Sequence, residues 1–112
     1  MDSKPINPVV LEPLVNLIVS EYSPEKIILF GSHGIQKAEK SSDIDLLIVK
    51  RTPKRFVDRV VEVMRLIRSR FGFAYPVEPL IYTPDEWRDA NKINSAFIRA
   101  VVSNGVVLYE KE

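Results

Sequence analysis

The sequence predicts an α/β fold, in which helices and strands alternate along the chain. Two short apolar runs, residues 26–30 (KIILF) and 43–50 (DIDLLIVK), have the length and branched composition of buried strands. Residues 54–71 show the clearest helical period in the chain, with apolar residues on one face. With the weaker patterns included, the predicted order of elements is α-β-α-β-α-β-α-α-β.

The first helix is expected to begin near Glu12, because Pro13 is tolerated at the first helical position but not inside a helix. Ser23-Pro24 would end it. After the first strand, residues 34–39 are compatible with a short helix that precedes the second strand. The apolar stripe of the first helix consists of Leu14, Leu17 and Ile18.

The third strand is predicted over residues 77–82 (VEPLIY), and it contains Pro79. Proline has no N–H group to donate to a neighbouring strand, so it is found at sheet edges or at bulges. We therefore expect this strand to lie at an edge or to carry a bulge.

A helix is predicted directly after the third strand, because Thr83, Pro84 and Glu86 have the spacing of a capping box with proline at the first helical position. The last two predicted elements are a helix over residues 95–103 and a strand over residues 106–109.

The composition is that of an ordinary globular protein, and residues 1–112 are expected to form one domain. A hydrophobic content of 46% with 28% charged residues argues against intrinsic disorder. The chain has no cysteine and a single histidine, which excludes disulfides and does not favour a structural zinc site. No apolar run reaches the roughly 18 residues of a membrane span, and no signal peptide is visible, so a cytoplasmic location is the default expectation.

The formal net charge of +1 gives no strong nucleic-acid signal. Asp58 and Glu62 interrupt the basic residues in and before the long predicted helix, which favours a solvated surface over a nucleic-acid face. Those basic residues are Arg51, Lys54, Arg55, Arg59, Arg65, Arg68 and Arg70. Three aromatic residues are interpreted as core or partner-interface side chains: Tyr82, Trp87 and Phe97.

Two carboxylates open the second strand. The two-residue period of a strand places Asp43 and Asp45 on one face, where their like charges repel each other. A hard divalent cation such as Mg²⁺ would relieve that repulsion, whereas the bland alternative is a solvated strand start whose aspartates bond nearby backbone. Upstream, Gly31-Ser32 follows the first strand, where glycine lets backbone N–H groups approach a phosphate closely.

The combination of Gly31-Ser32, ten intervening residues and Asp43-Ile44-Asp45 resembles the nucleotidyltransferase signature of the DNA polymerase beta superfamily. The resemblance is closest to its minimal nucleotidyltransferase (MNT) branch. It implies a nucleotidyltransferase-like fold, a small mixed β-sheet with helices packed on it, and a third carboxylate from a later strand. Glu78 is the candidate for that carboxylate.

The same resemblance implies the chemistry. Asp43, Asp45 and Glu78 would be catalytic residues and ligands of two Mg²⁺ ions, and Gly31 and Ser32 would hold the phosphates of ATP or another nucleoside triphosphate. The reaction would be transfer of a nucleoside monophosphate, AMP from ATP in the simplest case, to a hydroxyl acceptor, with Glu78 as the candidate general base.

MNT proteins also suggest a protein partner. The resemblance implies a toxin of the HEPN type whose tyrosine accepts AMP, so that this chain acts as an antitoxin in a homo- or hetero-oligomer. Three positions depart from the family pattern: Ile35 replaces a frequent arginine, Gln36 a frequent glycine, and Glu78 the usual aspartate. They leave open an alternative, in which an MNT-like binding module neutralises its partner by contact, with weak or absent transfer.

Overall fold

The computed structural model describes residues 8–30 and 44–112. Within them lie one turn of 3₁₀-helix, four α-helices and four strands. In chain order these are the 3₁₀ turn Pro8–Leu11, α1 Glu12–Tyr22, β1 Lys26–Phe30, β2 Ile44–Val49, α2 Phe56–Phe71, β3 Val77–Tyr82, α3 Pro84–Ile93, α4 Ala96–Asn104 and β4 Val106–Glu110. The predicted elements in these ranges are confirmed, whereas the short helix predicted over residues 34–39 lies outside the described residues.

The four strands form one mixed sheet in the order β3-β2-β1-β4. β1 runs antiparallel to both β2 and β4, whereas β2 and β3 are parallel and are joined through α2. This arrangement confirms the predicted α/β class with a mixed sheet. That residues 1–112 form one domain stays a prediction.

β3 is an edge strand, as Pro79 predicts. Pro79 lies opposite Leu46 in the parallel ladder, and the pairing of β2 with β3 runs without interruption from Val77 to Tyr82. The irregularity of the sheet lies elsewhere, in the pairing of β1 with β4 between Ile27 and Ile28.

Helices cover both faces of the sheet, and alternate side chains of β2 supply both cores. Ile44, Leu46 and Ile48 pack with α1 and α2, whereas Leu47 and Val49 pack with residues of α3 and α4. Burial on both faces explains why β1 and β2 read as continuous apolar runs rather than as an alternating pattern. No helix in the described part of the chain is both long enough and apolar enough to span a membrane.

The C-terminal end of α1 and the N-terminal end of α3 follow the signals predicted from the sequence. Ser23, which follows α1, has a left-handed backbone (φ 52°) and donates its N–H to the Val19 carbonyl. At the start of α3, the Thr83 hydroxyl accepts from the Glu86 N–H at 3.1 Å, and the Glu86 carboxylate accepts from the Thr83 N–H at 2.9 Å. The predicted capping box is therefore present.

Arg59 corrects the interpretation of the basic residues as a uniformly solvated surface. Its residue surface is only 6% exposed, and its guanidinium makes a two-pronged ion pair with Glu86, with distances of 2.8 and 3.2 Å. It also donates to the carbonyl oxygens of Lys54 (2.7 Å) and Ile81 (3.0 Å). Arg59 lies one helical turn before the buried Val63, so this position faces the sheet, and the long side chain finds enough acceptors to remain charged there.

The Arg59 contact also changes the titration of its partner. The hydrogen bond from Arg59, assisted by the backbone N–H of Thr83, lowers the pKa of Glu86 below its ordinary value, although partial burial opposes that shift. A carboxylate with a lowered pKa stabilises the fold at neutral pH, and this contribution is lost as the pH falls through its folded-state pKa.

Gly105 sits where α4 turns into β4 against β1. Its N–H donates to the Val101 carbonyl at 2.9 Å. A Cβ at this position would lie 2.7 Å from Cγ2 of Ile28 and 3.3 Å from the carbonyl oxygen of Leu29, and it would also clash with the Val101 carbonyl. The absence of a side chain at Gly105 therefore allows α4 to approach β1 closely.

We predict that Gly105→Ala lowers the free energy of unfolding by about 1–3 kcal/mol, the usual range for an added group in a packed site. Urea denaturation followed by circular dichroism measures it. Ser103→Ala, at an exposed position of the same helix, is the control and should be nearly neutral. Wild-type stability in Gly105→Ala would contradict the close packing described here.

We predict that Glu86→Gln lowers the free energy of unfolding at pH 7 by about 1–3 kcal/mol, because buried Arg59 loses its charged partner. The difference from wild type should shrink as the pH falls from the ordinary pKa of glutamate through the lowered folded-state pKa of Glu86, where Glu86 becomes protonated in the folded wild-type protein as well. Denaturation curves at pH 7 and at acidic pH measure both effects. Glu110→Gln removes an exposed ion pair with Lys26 (3.5 Å) and should change stability little at either pH.

Candidate functional site

Asp45 and Glu78 lie side by side at one end of the sheet. In the parallel ladder of β2 and β3, the Cα atoms of these two residues are direct partners. Neighbouring strands are about 4.8 Å apart, and partners at the same level project from the same face. The sheet therefore brings together two of the three predicted carboxylates, although they are 33 positions apart in the sequence.

The face that carries these carboxylates is set by the alternation along β2. Ile44 and Leu46 point into the core formed with α1 and α2, so Asp45 points to the opposite face, which α3 and α4 cover further along. Asp45 is the second residue of its strand and is half-buried, and Glu78 is exposed. Both carboxylates thus lie at the edge of the core that β2 forms with α3 and α4, rather than inside that core. This edge is called the rim below.

The end of β1 meets the same rim. Phe30, the last residue of β1, is the Cα partner of Asp45 in the antiparallel ladder. The chain continues from Phe30 directly into Gly31-Ser32, which lie outside the described residues together with Asp43. The carboxyl end of β1 therefore lies beside the amino ends of β2 and β3. This arrangement requires a mixed sheet, in which β1 is antiparallel to β2 and β2 is parallel to β3.

The donors present fit a hard divalent cation. Mg²⁺ binds oxygen ligands and is commonly held by one or two carboxylates, with water and substrate phosphates completing its coordination. Asp45 and Glu78 offer two such groups at one level. Within residues 8–30 and 44–112 no cluster of three or more His, Cys, Asp or Glu side chains has metal-binding geometry. The assignment of Asp43, Asp45 and Glu78 as ligands, and of Gly31 and Ser32 as phosphate contacts, stays a prediction.

An aromatic pair borders Asp45 on the side of β1. The rings of Phe30 and Phe97 meet edge to face, with centroids 5.6 Å apart and planes at 86°. Phe97 lies in the first turn of α4 and is 41% exposed, so it is not a fully buried core side chain, and its interpretation as a core or partner-interface aromatic stays a prediction. Helical periodicity alone could not place Phe97 against Phe30, because that contact depends on how α4 packs on β1.

The fold and the carboxylate pair define a class of protein, namely an α/β domain whose mixed sheet presents acidic residues from adjacent strands at one rim. Residues 12–112 match the family model described as "Polymerase beta, Nucleotidyltransferase". The chain belongs to this family and is a nucleotidyltransferase, as the resemblance to the minimal nucleotidyltransferase branch predicts.

Two relatives come from Methanocaldococcus jannaschii. "Putative protein adenylyltransferase MJ1305" is 30% identical over 118 residues, which cover 100% of this chain and 77% of that protein. "Putative protein adenylyltransferase MJ0604" is 31% identical over 101 residues, which cover 88% of this chain and 94% of that protein. Both alignments span most of the relative as well as most of this chain.

A solved structure shares the fold. The structure described as "Crystal structure of the toxin-antitoxin with AMP-PNP" superposes with a TM-score of 0.63 at 18% identity, over 96% of this chain and 76% of that chain. At this level of identity the similarity is one of architecture, and it agrees with the mixed sheet and its flanking helices.

Proposed function

We propose that this nucleotidyltransferase is Mg²⁺-dependent and transfers AMP from ATP to a hydroxyl group of a protein. The observation that carries the proposal is the direct pairing of Asp45 with Glu78 beside the carboxyl end of β1. The names of the two archaeal relatives both contain "protein adenylyltransferase", and they support AMP as the transferred group and a protein as the acceptor.

The proposed roles are those that the resemblance to the minimal nucleotidyltransferase branch implies. Asp43, Asp45 and Glu78 would hold two Mg²⁺ ions, and the Gly31 N–H and Ser32 would contact the β- and γ-phosphates. When bound, the ions supply the positive charge that stabilises the attacking and leaving oxygens of an in-line displacement. The acceptor oxygen forms a bond to the α-phosphorus, the bond from that phosphorus to the bridging oxygen breaks, and pyrophosphate leaves. The acceptor proton passes to the Glu78 carboxylate.

The acceptor side of this site suits a large substrate. Glu78 is exposed on β3, which is the edge strand, so a side chain of another protein can approach it from beyond the sheet. We propose a tyrosine of a HEPN-type toxin as that acceptor, which gives the chain an antitoxin role. The shared fold with a toxin–antitoxin structure that contains AMP-PNP supports the antitoxin role and a nucleotide substrate.

The alternative is a binding module that neutralises the same kind of partner by contact. The replacement of the usual aspartate by Glu78 favours it, since the longer side chain alters the distance between the two carboxylates of the pair.

The same replacement offers a direct test, because Glu78→Asp restores the usual family residue and should keep or raise transfer if the chain is an enzyme.

We predict that Asp45→Asn lowers the rate of nucleotidyl transfer by about 100-fold or more, the scale for losing one group that stabilises charge at the reacting centre. Its thermal unfolding should stay close to that of wild type, because Asp45 lies at the rim of the core. Asp89→Asn, at an exposed position of α3, is the matched control and should transfer at the wild-type rate. A fully active Asp45→Asn variant would exclude Asp45 as a metal ligand.

The reaction itself is tested by incubating the purified protein with ATP, Mg²⁺ and the protein encoded beside it. We expect the partner to gain the mass of one AMP group on a tyrosine, and we expect chelation of the metal to abolish the gain. Intact-mass and peptide mass spectrometry measure it. A stable complex that forms with no change in mass would instead support neutralisation by contact.

A further inference from the structure

The aromatic pair beside Asp45 is fixed in place but is not fully covered. Phe30 is held in β1 as the Cα partner of Asp45, and its ring meets that of Phe97 at 5.6 Å. The neighbours of Phe97 on α4, Ile98 and Val101, are only 4% and 2% exposed and anchor the helix on the sheet. Phe97 itself is 41% exposed, so it is only partly covered, although its ring packs on Phe30, the β1 partner of Asp45.

The order of the strands decides which substrate this ring can meet. Across β3, β2 and β1, the paired positions are Glu78, Asp45 and Phe30. Glu78 therefore stands on one side of Asp45 and the aromatic pair on the other. In the proposed reaction the acceptor hydroxyl is on the Glu78 side. Gly31 and Ser32, the proposed phosphate contacts, follow Phe30 in the chain. The aromatic pair thus lies on the nucleotide side of the site.

From this geometry we propose that Phe97, supported by Phe30, is the nucleobase-binding surface of the site. The inference rests on the proposed nucleotidyl transfer and adds the group that recognises the base. Every nucleobase has a flat π-face, and a half-exposed aromatic ring gains from being covered by one. A phenylalanine has no hydrogen-bonding group, so this contact distinguishes nucleoside triphosphates from inorganic triphosphate but does not choose between adenine and guanine.

The test measures binding of ATP, GTP and inorganic tripolyphosphate in the presence of Mg²⁺ by isothermal titration calorimetry. Phe97→Ala should weaken the binding of ATP and GTP about tenfold each, a typical loss for one base–aromatic contact, and should leave tripolyphosphate binding unchanged. Phe97→Trp keeps a flat ring and should bind ATP like wild type, whereas Phe97→Leu keeps the apolar contact with Phe30 and should behave like Phe97→Ala. Val102→Ala, an exposed apolar position at the other end of α4, is the control and should bind all three ligands normally.

Different failures have different meanings. Wild-type ATP binding in both Phe97→Ala and Phe97→Leu overturns the nucleobase surface and leaves the proposed function standing. Equal losses for ATP and tripolyphosphate overturn it as well, because a lost base contact cannot weaken a ligand that has no base. In a transfer assay, a higher KM for the acceptor with an unchanged KM for ATP would place Phe97 on the acceptor side and overturn the proposal. A wild-type chain that binds neither ATP nor tripolyphosphate overturns this proposal and the proposed function together.

Discussion

The parallel pairing of β2 with β3 is the constraint on which the candidate site depends. Side chains alternate along a strand, so a shift of the pairing by one residue would turn one carboxylate of the pair toward the opposite core. The observed register aligns Asp45 with Glu78 and, in the same ladder, Leu46 with Pro79. Burial of the apolar partners on both faces of β2 therefore fixes the level at which the two carboxylates meet.

The crossover through α2 makes the parallel pairing of β2 with β3 possible. The Arg59–Glu86 ion pair stabilises the end of β3 that lies away from Glu78. Parallel strands cannot be joined by a tight hairpin, so a connection such as α2 must cross the sheet. Arg59 of α2 contacts the carbonyl of Ile81 in β3 and the carboxylate of Glu86 in α3. One side chain thus joins three consecutive elements at the opposite end of β3 from Glu78.

Sequence reasoning succeeded where signals are local. The capping box of Thr83 and Glu86 depends on residues three positions apart, and the edge position of β3 follows from the missing N–H of Pro79. It was wrong about Arg59, which was grouped with the solvated basic residues. Burial of a charged side chain becomes favourable only when remote acceptors are in place, and the main one, Glu86, lies 27 positions away.

The sequence by itself determined the alternation of helices and strands, the family resemblance and the candidate carboxylates, because each depends on residue types and short spacings. Tertiary structure alone decided which strands are neighbours, that Asp45 and Glu78 share one level, and that Phe97 packs on Phe30, the β1 partner of Asp45. These facts arise from strand register and helix packing, which depend on the burial of apolar surface across the whole sheet. The structure places Glu78 and the aromatic pair on opposite sides of Asp45, and this separation supports distinct acceptor and nucleotide sides of the site.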